Sequence, residues 1–553
     1  MARSRRTPKN TQPKVIEVKK ATPSTNGGGV SKKVGKNTKT AVVAAKNVAK
    51  TETTTVTAKS ETTAVAAKSE PKVEPVVASK NASKSKSKPT APVTTNNKSP
   101  KRGKNTTSAT TTPTSPAKPQ APAKREKTAP TKTSTTKNTT TTASGKRRKI
   151  SEINAIPTTS AEVGTVFVIG TGDCAQLGLG EDMVERKKPM PLQDLVDENI
   201  VDIFVGGLHN IALSKDGKLY SWGCNDQKAL GRAGDEYEPA AMEGLDDIKI
   251  VKVACGDSVT VALSDEGKVY TCGTYRSAEG ILGFAKGQEV QATLTLLEPL
   301  VKAKVKIVDV SAGVDHVLAL TSTGDVYGWG NGQQNQLGRR IIERRKINGL
   351  RPEKLGLKQI VKIGTGSYHS FAIDQDGHVF AWGLNNFHQC GLEPEDGGDE
   401  EIVPTPTIIE ALEGMKIQQI IGGEHHSLAL TESGEVYGFG RSDSSQLGLP
   451  ANLATQDGEG NEASHKKAVG TPTKIPGLPA IKFLSCGSNH NVVLATNGDA
   501  YSWGFGESLA LGNGVEEDVE TPMKIEGQKI ADVRILTVGA GGQHSVLLGV
   551  SNK

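Results

Sequence analysis

Short runs of β-branched and aromatic residues, cut by glycines and polar pairs, fill the chain from about residue 163 onward. The run at 210–214 is followed by Asp216-Gly217 and the run at 218–223, and another run, 200–205, comes before them. Asp-Gly, Glu-Gly, Thr-Gly, Ser-Gly and Asn-Gly pairs supply the positive φ of a tight hairpin turn, so each unit predicts two strands around a turn. A further strand is predicted ahead of each hairpin, as at 248–254, 305–311, 359–363 and 417–421. With an outer strand after each Leu-Gly segment, a unit holds about four strands.

One phrase marks every unit: a glycine, two variable residues, usually a histidine, then a short apolar run. The copies begin at Gly206, Gly256, Gly313, Gly366, Gly423, Gly487 and Gly541, in steps of 50, 57, 53, 57, 64 and 54 residues. A period of that length means a propeller or an array. Histidine fills the fourth place in six copies (His209, His316, His369, His426, His490, His544), and Val259 fills it in the second. Farther along each unit stand Trp222, Cys272, Trp329, Trp382, Phe439 and Trp503, so all four tryptophans share one column. A lone blade cannot bury both faces, and stacked neighbours must share that column as core.

The seventh copy stops at 544–548 without its second hairpin strand. The missing piece stands at the other end, where VGTVFVIGTGDCAQLGLG at 163–180 matches VYGWGNGQQNQLG at 326–338. The expected fold is an all-β, seven-bladed β-propeller over residues 161–550, closed by N- and C-terminal strands in one blade, which leaves no long unpaired edge.

Residues 1–160 have the opposite character. Residues 1–150 carry 34 Lys or Arg against 6 Glu, a net charge of +28 within a whole-chain value of +8, and no aromatic residue. Such a segment cannot bury enough surface to offset its ordering entropy, so a long disordered basic tail is expected. It reads either as a solvated linker bearing a nuclear import signal, for which Lys146, Arg147, Arg148 and Lys149 would serve, or as a chromatin contact neutralising DNA phosphates. Ser99 and Ser115 fit a proline-directed phosphorylation pattern, and phosphate there would weaken DNA binding. The six cysteines show no Cys-x-x-Cys spacing and read as reduced residues of a nuclear or cytosolic protein. No apolar run reaches the ~18 residues of a membrane span, and the N-terminus has no signal-peptide core, so no membrane partner is expected.

The whole pattern, including Gly-x-Val-Tyr-x-Trp-Gly and Gln-Leu-Gly, resembles the repeat of the regulator of chromosome condensation family over roughly residues 163–550. A WD-repeat propeller has a shorter period of about 40–45 residues. The resemblance implies a nuclear, chromatin-associated guanine-nucleotide exchange factor for the Ran GTPase. Such a factor works by differential binding and not as an enzyme, without cofactor or metal. Its implied partners are Ran, chromatin through DNA phosphate or histones, and a nuclear import receptor.

Six segments between the glycine after the tryptophan column and the Leu-Gly glycine use eight steps, whereas Gly273 to Gly283 uses ten. In the family this place carries a small β-hairpin that wedges against Ran, and the match lies at Tyr275, Arg276, Gly280, Ile281 and Gly283. Ser277 and Ala278 stand where more polar residues are expected, and an ordinary loop insertion is the alternative. Further GTPase-binding positions implied by the resemblance are Asp173, His209, Asp257, Asp315, Arg339, His426 and His544. The three histidines also belong to the regular column, whose fixed place in each blade reads as scaffold. The variable pairs before that column, among them Ser367-Tyr368 and Glu424-His425, are expected to decorate one rim. The basic stretch 339–351 could meet DNA phosphate or the GTPase or be solvated, and 450–470 reads as a disordered surface loop. Competing functions are a chromatin-binding adaptor without exchange activity and a light sensor like the plant ultraviolet receptor. For the light sensor, the four tryptophans of the core column leave no spare cluster.

Overall fold

The computed structural model describes residues 151–450 and 467–552. The expectations for residues 1–150, Lys146 to Lys149 with Ser99 and Ser115 included, and for most of the 450–470 loop lie outside the described residues. Seven antiparallel four-stranded sheets follow one another as blades. Their inner strands are Ile200–Val205, Ile250–Cys255, Ile307–Ala312, Ile360–Thr365, Ile417–Gly422, Ile481–Cys486 and Val533–Ala540, for blades 1 to 7 in that order. Blade 7 closes as the sequence implies: Thr165–Thr171 pairs with His544–Ser551, setting Phe167 opposite Leu547 and Gly170 opposite His544.

Close approach explains the phrase. A Cβ on Gly206 would stand 2.9 Å from Cε1 of His209, and one on Gly423 would stand 2.5 Å from the Gly487 carbonyl oxygen of the next blade. Only glycine leaves room for the imidazole lying over it. The Leu-Gly glycine has a double reason. At Gly338 φ is +60°, and a Cβ would come 3.0 Å from the Trp382 indole nitrogen of the following blade.

The histidine column is an inter-blade relay. Nε2 of His316 meets Ser370 Oγ at 2.8 Å, His369 meets Ser427 at 2.9 Å, and His490 meets Ser545 at 3.0 Å. His209 reaches Thr260, while His426 and His544 reach the amide oxygens of Asn491 and Asn210. Each partner passes its own proton on, as Ser370 Oγ does to the Gln336 carbonyl at 2.9 Å, and Trp382 Nε1 donates to that carbonyl too. The partners are thereby acceptors toward histidine, which assigns the proton to Nε2 and leaves Nδ1 bare. Where Val259 replaces histidine, Val317 replaces the hydroxyl or amide partner one blade on, and both valines are fully buried. The relay is thus exchanged for an apolar contact cluster at the seam of blades 2 and 3.

Residues 152–156, expected within the tail, lie pinned on blades 3 and 4. The amides of Ile153 and Asn154 donate to the Ser322 carbonyl, and Asn154 Nδ2 bridges the carbonyls of Thr321 at 3.2 Å and Ile360 at 2.8 Å. Ile156 packs against the cores of both blades. All six cysteines are free thiols.

Candidate functional site

The two extra residues after Gly273 form a separate hairpin of strands Tyr275–Ser277 and Gly280–Gly283, with Arg276 opposite Ile281 and Ser277 opposite Gly280. So short a two-stranded ribbon is marginal on its own. Blade 3 holds it at the root. Tyr275 is buried, and its hydroxyl accepts the Trp329 indole N–H at 2.7 Å, taking the place of the glutamine carbonyl that serves Trp222, Trp382 and Trp503. Burial drives the phenol pKa far above its usual value. Asp315 is only 7% exposed, and its Oδ1 accepts the Arg276 backbone N–H at 2.6 Å. Burial, reinforced by Asp257, pushes the Asp315 carboxyl up to about 7 against the pull of that N–H.

Tyr275 and Asp315 are therefore not outward contacts. They fix the hairpin, while Arg276 is exposed and Ile281 stands 51% open. Gly280 allows the turn through a φ of +114°. The tip also reaches blade 3: the Ala278 amide donates to Gln333 Oε1 at 3.2 Å, and Glu279 pairs with Lys346.

Acidic groups of several blades gather beside the hairpin. Asp257 reaches solvent at the mouth of the ring, yet the surrounding walls displace enough water to raise its carboxyl to about 6, with Glu424 adding and Arg276 opposing. The Tyr368 phenol is raised by burial and by the charges of Glu424, Asp257 and Asp315, which places all four groups within one electrostatic neighbourhood. His425 Nε2 lies 3.8 Å from Glu424, and its ring tilts against Phe387 at 4.9 Å, with Arg441 over the other aromatic. Tyr368, Glu424 and His425 belong to the variable pairs already expected on one rim. Asp173 is exposed on the blade 7 loop next to Cys174, whose thiol burial and that carboxylate push upward.

The other implied contacts have different positions. His209, His426 and His544 are fully buried in the relay, where burial lowers their pKa to about 4, about 4 and about 3. They are closed to a docking protein and act as scaffold. Arg339 is largely covered, with a side-chain exposure of 18%; it donates to the carbonyls of Gly349 and Arg351 and pairs with Glu353 at 3.4 Å. It folds the 339–351 stretch, which is 3-10 at Glu343–Leu350 with a kink at Arg345, and does not project from it. Among the described residues, Asp374, Asp376 and His378 bring three ligand-type atoms together on a hairpin turn, where Asp374 already accepts both backbone amides and the His378 ring.

Fold and site together define a seven-bladed propeller with one modified blade that presents a clamped hairpin beside a carboxylate-lined mouth. The RCC1-like domain model matches residues 165–547, and the chain belongs to the regulator of chromosome condensation family. It is 42% identical over 420 residues to protein pim1 of Schizosaccharomyces pombe, covering 72% of this chain and 77% of that protein. It is 37% identical to the guanine nucleotide exchange factor SRM1 of Saccharomyces cerevisiae, covering 70% of this chain and 87% of that one. The crystal structure of Prp20p from Saccharomyces cerevisiae, described with its binding properties to Gsp1p and histones, superposes with a TM-score of 0.68 at 38% identity, over 72% of this chain and 93% of that one. Yeast RCC1 (Prp20) bound to Kap60 superposes at 0.69 with 36% identity, over 75% and 97%.

Proposed function

We propose that this chain is a guanine-nucleotide exchange factor for the Ran GTPase, held on chromatin in the nucleus by its basic N-terminal segment. The observation that carries the reading is the hairpin of blade 2. Its segment takes ten steps where the six equivalent segments take eight, it is braced from blade 3, and it aims Arg276 and Ile281 outward beside Asp257. Pairing of that carboxylate and Glu424 with a basic surface would orient the GTPase. Exchange then needs no bond chemistry. The braced hairpin binds best to the nucleotide-free GTPase, and each ~1.4 kcal/mol of that preference speeds nucleotide release about tenfold. The relatives named for exchange activity and described with Gsp1p, histones and Kap60 support Ran, chromatin and an import receptor as partners.

The test is nucleotide release from purified Ran with Arg276→Ala and Ile281→Asp. Both side chains are exposed, so melting temperature and nucleosome binding should match the wild type while release slows by about tenfold or more. Release at the wild-type rate in both variants would remove the hairpin from the mechanism, and a wild-type protein that leaves release at the rate of Ran alone would make the adaptor reading the better one.

A further inference from the structure

Root contacts alone leave the end of the hairpin free, because Tyr275 and Arg276 are held but residues 277–281 extend beyond them. We infer that Gln333 and Lys346 of blade 3 are positioning residues that clamp the hairpin tip, an inference that rests on the exchange reading above. Gln333 accepts the Ala278 amide through Oε1 and turns Nε2 toward Glu279 at 3.5 Å and Glu343 at 3.3 Å. Lys346 bridges the same two acids, pairing with Glu279 and lying 3.5 Å from Glu343. Ser277 Oγ adds a bond to Glu279 at 3.0 Å. The result is a closed network joining the tip to the 3-10 segment between the third and outer strands of blade 3.

The residue type at position 333 fits this use. Its counterparts three residues after the corresponding glycine are Asp173, Asp226, Asn386, Asp443 and Glu507, four of them acidic. A carboxylate at 333 could accept the Ala278 amide but would repel Glu279. A neutral glutamine both accepts from the backbone and donates to the acid. Of the two neutral residues at this place, Gln333 stands on the blade where the hairpin tip lands.

Positioning matters because a hairpin loose in the free protein meets its ordering cost when it engages the nucleotide-free GTPase, the state it binds best. Both Gln333→Glu and Lys346→Ala should speed hydrogen exchange of the Ala278 amide in the free full-length protein by ~2–5-fold, at unchanged melting temperature. Nucleotide release should slow in parallel, through kcat with KM for Ran little changed, and Lys346→Arg should restore both readouts. Unchanged amide exchange in the two variants overturns the clamp. A loosened tip with undiminished release overturns its positioning role. If the wild-type protein itself leaves release at the rate of Ran alone, the exchange reading has failed and the positioning role fails with it.

Discussion

Acidification should unfold this propeller well before most carboxylates titrate. Six histidines are fully buried, and burial lowers five of them to about 3 or 4 and His369 well below its usual value. Protonation would place a hydrogen on Nδ1, which has no partner in the five blades of His209, His316, His369, His426 and His544. The unfolded chain therefore takes up the protons. The stabilisation is full above about pH 6.5 and drains as pH falls toward 4. Between pH 7 and pH 5 each histidine costs about 2 kcal/mol, roughly 11 kcal/mol for the six. Asp202 and Asp315 act in the opposite sense, because burial raises them to about 6 and about 7 and the folded state binds their protons. They return roughly 4 kcal/mol, and Asp257, open to solvent, adds little. The net loss of roughly 7 kcal/mol is comparable with the whole stability of a domain, about 5–15 kcal/mol. Urea unfolding followed by tryptophan fluorescence at pH 7, 6 and 5 reads it directly, since all four tryptophans are buried between blades. The midpoint should fall steeply, and His490→Gln should lessen that fall by about a quarter. A midpoint that is flat between pH 7 and pH 5 would refute the argument.

Two further outcomes are expected. Val259→His should destabilise the fold by about 1–3 kcal/mol, because the new imidazole meets Val317 and finds no acceptor; adding Val317→Ser should recover part of the loss, and a double variant no more stable than the single one in denaturant titration would sink the relay logic. Removing residues 1–150, which carry the +28 charge, should abolish salt-sensitive nucleosome binding and spare nucleotide release. With about 6–10 phosphates engaged, intact protein should lose ~10³–10⁵ in affinity between about 50 and 200 mM salt, and equal retention by the isolated propeller would contradict the assignment.

The propeller was legible because its signals record close approaches that recur in nearly every blade. Gly206 and five of its equivalents face an imidazole, and Gly338 faces an indole, so neither place tolerates another residue type. Closure was legible for the same reason, since residues 163–180 carry half of a repeat. Orientation was not. A residue type at a rim position announces charge or ring but not where the side chain turns, and Tyr275, Asp315 and Arg339 all turn inward. Tyr275 reaches Trp329 across 54 residues, a pairing that no local spacing announces. One signal lay in the sequence unread: Val317 is the only apolar residue directly after the fourth place of the phrase, and it stands one blade beyond the only phrase without histidine. The clamp at Gln333 was hidden because its meaning depends on Glu279 of another blade.

The shared seventh blade sets a timetable for synthesis. Val168 pairs with Val546, so the strand made first among the blades must wait for a partner about 380 residues away. At the ~5–20 residues per second of translation, that wait lasts roughly 20 to 80 seconds. Throughout it, the amides and carbonyls along Thr165–Thr171 form a bare edge open to any other strand. A ribosome that stalls before residue 533 releases six blades with both flanks uncovered. An unfinished chain thus differs from the complete ring in the two blade faces it leaves uncovered.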